Sequence, residues 1–149
     1  MIKYFIDFLL WKLYAENIKG NVKYIQDVSD QLNNLKKIID KNKDVFNKFK
    51  FRQLNSREHL YSQAQAELYL KENDVINGIG NLCLISTSQN SVGNKENPTE
   101  KRKRFMNDNS SLKRVIMFES YENDKWETEQ INKHESEIEA IISFYCPKI

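Results

Sequence analysis

The sequence is poor in the residues that staple or punctuate a chain: two cysteines, two prolines and four glycines in 149 residues. Cys83 and Cys146 stand far apart, with no C-x-x-C and no histidine at ligand spacing. That excludes the usual zinc patterns and leaves reduced cytosolic thiols as the expectation. Long apolar runs are missing as well. The most apolar stretch, Met1 to Tyr14, is interrupted by Lys3, Asp7 and Lys12, too often for a span of about 20 apolar residues. A helix buried on most of its surface is expected there, with no membrane partner and a cytoplasmic location. Charge of one sign is not in excess either. The 23 basic and 21 acidic residues leave a formal charge of +2, which neither demands nor excludes a nucleic-acid partner, so any electrostatic argument rests on local clusters. No internal repeat is present.

What remains is a soluble composition, 30% charged and 40% hydrophobic, at a length suited to one domain over 1–149 with a core of its own. Three zones follow one another: a helical part over 1–50, a middle part over 51–108 and a helical part over 109–149. In the first, Ile2, Phe5, Ile6, Leu9, Leu10, Leu13 and Tyr14 recur at helical spacing, with a stop expected at Lys19-Gly20-Asn21. A second helix is expected from about Val28 to Phe49, with Leu32, Leu35, Ile38, Ile39, Val45, Phe46 and Phe49 as its stripe. The middle zone holds Gly78, Gly80, Gly93 and Pro98, and its apolar runs are short. Leu82 to Ser86 reads as a strand, Ser88 to Asn97 as a polar loop, and Pro98 as the first turn of a helix through Phe105. A last amphipathic helix is expected over Asn123 to Tyr145, carrying Trp126, His134, Ile138, Ile141 and Ile142. Trp11, Trp126 and His134 are expected to be structural.

The middle zone thus orders a strand-like segment bearing Glu58-His59, a connection, a second strand, a loop with Asn90 and a helix. This is a ββα unit, enclosed by the terminal helices in an α+β, mostly helical fold. Such a unit brings a carboxylate, a histidine and later asparagines together from distant positions. The residue types suit a one-metal phosphodiesterase. Glu58 and Asn90 offer oxygen ligands to Mg²⁺ or Mn²⁺, and His59, whose ordinary pKa lies near neutrality, can take a proton from an attacking water. Asn81 would orient the histidine ring. Seven cations lie between Lys95 and Arg114 against three carboxylates. Lys95, Lys101, Arg102, Lys103 and Arg104 are the expected phosphate contacts beside the site.

Three segments carry a family resemblance. Asn55-Ser56-Arg57-Glu58-His59-Leu60-Tyr61-Ser62-Gln63 resembles an "S-x-E-H-I-x-P-Q" pattern, and Asn77-Gly78-Ile79-Gly80-Asn81-Leu82-Cys83-Leu84-Ile85 an "N-x-I-G-N-L-x-L-L" pattern. Asn90, Asn94 and Lys101 resemble "N-x-x-x-(S/G)-N … K". These belong to the HNH-type nuclease domain at the C terminus of GmrSD-like, modification-dependent (type IV) restriction endonucleases. Trp126, Ile131 and the helix to Ile142 are similar to that family's closing helix, and Phe49 to Arg52 to its lead-in. The resemblance implies an HNH endonuclease of restriction or phage defence acting on DNA, plain or modified. In it Glu58 and Asn90 are metal ligands, His59 the general base and Asn81 the residue orienting it. Ser62 stands where the family has proline, and no D-G-Q-Q-R-like segment of a nucleotide-binding domain is present, so the expectations are a nuclease subunit working with a separate nucleotide-binding (GmrS-like) domain or subunit, a part of a longer protein, or a remnant of a broken gene. The alternative is a decayed or regulatory relative that binds DNA or a partner without cutting.

Overall fold

A computed structural model describes residues 5–17, 29–54, 56–68, 73–89 and 96–147. Helix α1 (Phe5–Asn17) turns Ile6, Leu9, Leu10, Leu13 and Tyr14 inward, as its spacing dictates. Its expected stop at Lys19-Gly20-Asn21 lies outside the described residues. The single helix expected to run to Phe49 is instead two, α2 (Asp30–Lys41) and α3 (Lys43–Lys48). Asn42 breaks it at φ −116°, ψ 27°, outside the helical region. Its side chain bonds back to the Ile38 carbonyl at 2.8 Å, and its N–H turns to Ile39, the local competition with helix bonding that disfavours asparagine in helix interiors.

The middle zone follows the expected order. Strand β1 (Ser56–His59) and strand β2 (Leu82–Ile85) form a two-stranded antiparallel sheet, with Glu58 opposite Cys83 and His59 opposite Leu82. Two short helices, α4 (Gln63–Leu68) and α5 (Asn73–Ile76), and a 3-10 turn (Ile79–Asn81) connect them. Gly80 is needed in that turn because a β-carbon would collide with the Ile131 carbonyl and Glu135 of the last helix. Helix α6 (Pro98–Phe105) starts at proline as expected, closed by a reciprocal capping box between Asn97 and Glu100.

Helix α7 (Leu112–Glu119) was not resolved as a separate element by periodicity. Every residue from Leu112 to Phe118 is buried, so no polar face marks a 3.6-residue repeat. Helix α8 (Thr128–Tyr145) begins later than Asn123, because Asn123 and Asp124 take positive φ in a tight turn closed by the Glu122–Lys125 bridge.

Two apolar clusters result. One joins α1, α2, α3, α7 and α8 through residues such as Leu13, Leu35, Ile39, Phe46, Ile116 and Ile138. The other lies beneath the sheet and gathers Leu60, Cys83, Ile85, Met117, Phe118, Trp126 and Ile131. Trp126 is buried as expected. The fold is mostly helical with one small antiparallel sheet, and no described helix is long and apolar enough to cross a membrane.

Candidate functional site

Alternation along β1 separates the two residues of the Glu58-His59 pair. Glu58 is 3% exposed and faces inward beside Cys83, whose thiol is pushed up to about 11 by burial. His59 is half-buried on the other side of the strand, with Arg57, Leu82 and Leu84. That side opens on a cleft of about 340 Å³ lined by Arg57, Asn77, Leu82 and Leu84.

The inward carboxylate has a partner that changes one sequence expectation. Lys101 is 2% exposed. Its ammonium makes a close ion pair with Glu58 Oε1 and donates to the His59 carbonyl at 2.6 Å. Lys101 is therefore corrected from a phosphate contact to an internal counter-ion: a buried carboxylate requires a charge partner, and α6 supplies one. The other α6 cations are largely committed too. Arg102 pairs with Asp124 at 3.2 Å and lies over the Tyr121 ring, and Arg104 pairs with Glu96. Lys103 is exposed, and Lys95 lies outside the described residues.

Asn81 is fully buried and forms a clamp instead of reaching the imidazole. Its Oδ1 accepts from the Tyr61 N–H at 2.8 Å and from the Trp126 indole at 3.0 Å. Its Nδ2 donates to the carbonyls of Tyr61 and Ile76. It fixes the backbone just after His59 and ties the sheet to the last zone of the chain. The ring itself meets Asn77, with His59 Nε2 3.0 Å from Asn77 Oδ1, an oxygen that also accepts from Gln63 Nε2 at 3.1 Å. Both Asn77 and Gln63 stand in the segments that carry the family resemblance, so their positions were visible and only their role was not. Lys101 likewise stands in the resemblance as its closing lysine, and its pairing with Glu58 was what the sequence did not show.

Of the candidate ligands among the described residues, Glu58 offers a divalent ion one free oxygen. Glu58 Oε2 is buried and has no hydrogen-bond partner, a hard oxygen suited to Mg²⁺ or Mn²⁺, while Oε1 is held by Lys101. No group of three His, Cys, Asp or Glu side chains converges among the described residues. Asn90, the expected second ligand, lies outside them.

On the cleft side, Lys113 anchors the turn before β2, donating to the carbonyls of Ile79 and Leu82 at 2.7 and 2.6 Å. Burial holds its pKa down to about 8. Asp7 of α1 accepts the Lys113 N–H at 2.7 Å, and burial lifts its carboxyl to about 6. These two residues fasten the N-terminal helix beside the cleft.

Comparison with curated proteins and with solved structures returned no match. Comparison with protein families gave one that agrees with the resemblance read from the sequence: the model of GmrSD restriction endonucleases, C-terminal domain, matches residues 3–141. The match runs from α1 through most of α8 and includes the sheet, its connection and the capped helix α6. The chain belongs to the GmrSD restriction endonuclease C-terminal domain family, among the nuclease domains of restriction systems.

Proposed function

We propose that the chain is a metal-dependent DNA endonuclease domain of the HNH type, cutting phosphodiesters with His59 as general base. The observation that carries this is the environment of the imidazole. An amide oxygen only accepts, so Asn77 Oδ1 draws the ring proton to Nε2 and leaves Nδ1 with the lone pair. Gln63 fixes the amide by donating to the same oxygen. The ring is held by Asn77, which lines the open cleft, and can take a proton from water there. Asn81 acts one step back, holding the Tyr61 backbone against the turn before β2.

Glu58, through Oε2, and Asn90 are the residues that would hold Mg²⁺ or Mn²⁺. A divalent ion held there would neutralise charge on the phosphodiester and stabilise the leaving 3′ oxygen, which requires the buried Glu58 carboxylate, on the side of β1 away from His59, to be reached from the cleft. DNA is the substrate, with exposed Lys103 of α6 and, by its place in the sequence, Lys95 as the remaining phosphate contacts. A separate nucleotide-binding partner would complete the system, with the reaction in the cytoplasm.

One observation favours a second reading, a relative that binds without cutting. The Lys101 ammonium already satisfies half of the Glu58 carboxylate. A single assay separates the two: cleavage of plain and modified duplex DNA in Mg²⁺ or Mn²⁺, with and without a nucleotide-binding partner. His59→Ala should lower cleavage by about 10² to 10⁴ while leaving DNA binding intact. Cleavage unchanged by His59→Ala removes the mechanism. Absence of wild-type cleavage in every condition selects the non-cutting relative.

A further inference from the structure

The cations that the fold leaves unpaired are not those of α6. Lys48 ends α3, and Lys50 and Arg52 follow it in an irregular segment that leads into β1. All three are exposed, and none forms an ion pair among the described residues. Two phenylalanines alternate with them. Phe49 packs partly buried against the first apolar cluster, and Phe51 is 52% exposed. Their rings meet edge to face, with centroids 4.9 Å apart at 75°. An exposed ring is thus held by a neighbour anchored in the core, so little freedom is lost when something stacks on it.

Beside this strip runs a groove of about 340 Å³, walled by Lys48, Lys50 and Arg52 together with Asn107, Asn109 and Ser110. Its one carboxylate, Asp108, is already engaged by Arg114 at 3.1 Å and by the Ser110 N–H at 2.9 Å. The groove therefore presents positive charge, amides and a hydroxyl, and the exposed Phe51 ring stands in the same strip, between two of the cations that line it.

We propose that the strip Lys48 to Arg52 is a binding track for single-stranded nucleic acid, with the cations on the phosphates and Phe51 as a stacking platform for an unpaired base. Lys50 and Arg52, two positions apart, are separated by at most roughly 7 Å of backbone. In a duplex the base faces are occupied by neighbouring bases, so Phe51 contributes only to an unpaired strand. This deepens the endonuclease reading and rests on it for the strand's identity as substrate. The track ends four positions before the strand bearing His59 in the sequence, and would hold a frayed or extruded strand.

The test is binding, measured separately from cleavage. The His59→Ala chain is titrated in EDTA with a fluorescent oligo-dT, a duplex of equal length, an abasic strand and an acidic peptide. The single strand should bind tightest, and Phe51→Ala should weaken it roughly 5- to 150-fold while leaving the abasic strand unaffected. Lys48→Gln/Lys50→Gln/Arg52→Gln should reduce the slope of log K against log salt by about 2. Circular dichroism of the variants should match the parent, since all these side chains are exposed. Phe51→Trp should in addition give an emission that the bound strand quenches. The track is overturned if Phe51→Ala binds like its parent, or if duplex or abasic strand binds as tightly as oligo-dT. Acidic peptide binding as tightly overturns it in favour of a protein partner. Absence of cleavage by the wild-type chain would defeat the endonuclease reading and leave these binding results intact.

Discussion

The two apolar clusters are built by different means. The first is almost dry: Leu9, Leu10, Leu13, Leu35, Ile39 and Phe46 meet across helices whose stripes are written at three- and four-residue spacing. The second, under the sheet, is threaded with buried polar groups, among them Glu58, Lys101, Asn81 and Arg114. Lys101 pairs with Glu58 and Asn81 bonds to Trp126, both far away in sequence, while Arg114 pairs with Asp108 just before its own helix. The first region is held by area removed from water, at about 25 cal/mol per Å². The second depends on specific geometry, because a buried polar group that loses its partner costs more than the bond was worth. It is also the region that carries the candidate chemistry.

The largest expected break in that contrast is at Lys101. Lys101→Met leaves a buried carboxylate without its counter-ion and should cost about 3–5 kcal/mol of unfolding free energy in urea. Adding Glu58→Gln should recover most of that loss. A cost below about 1 kcal/mol for Lys101→Met would mean that the ion pair does not organise the sheet. The same pair confounds a simple test of metal binding. Loss of activity in Glu58→Ala mixes a lost ligand with an unpaired ammonium, and the double variant supplies the control.

The contrast also explains what was legible in the sequence. Both strands, the proline-started helix and the core faces of α1 and α2 follow from spacing and local chemistry, as do the positions of His59 and Asn81 beside the sheet. The break at Asn42 and the fully buried α7 did not follow. One depends on a single side chain competing for carbonyls, and the other has no polar face to betray its period. At the site the residue types could be read, but not their pairing. Whether Asn81 or Asn77 meets the imidazole, and whether Lys101 faces solvent or Glu58, is decided by tertiary contacts across the connection between the strands.

A smaller effect sharpens the same comparison. Asn81→Leu removes the acceptor for the Tyr61 N–H and the Trp126 indole, both buried. It should cost about 1–3 kcal/mol for each group left unsatisfied. Exchange of the Trp126 indole proton should speed up, and near-ultraviolet circular dichroism should change. The volume-conserving Leu35→Met in the dry cluster should cost less than about 1.5 kcal/mol. Equal costs at the two sites would erase the distinction between packing and geometry.

The smallest expected effect lies on α8, which serves both clusters. His134 is fully buried 5.9 Å from the Trp126 ring, its Nδ1 3.8 Å from Glu137, and neither ring nitrogen has a hydrogen-bond partner. Burial holds its pKa well below the usual histidine value, with nearby Lys113 acting in the same direction. The imidazole therefore stays neutral in the folded chain where the unfolded chain binds a proton. Below the unfolded pKa of about 6.5 the unfolded state carries more protons, so stability falls as the pH falls. Between pH 6.5 and 5.5 that loss should be about 1 kcal/mol. Two carboxyls oppose it: Asp7, raised to about 6, and Glu137, also raised, both by burial, take up protons in the folded state first. The clean measurement is thus a difference, urea unfolding of wild type against His134→Phe at both pH values. The wild type should lose about 1 kcal/mol more than the variant on acidification. Parallel pH dependence of the two chains would mean that His134 is protonated inside the fold, with Glu137 as its charged partner.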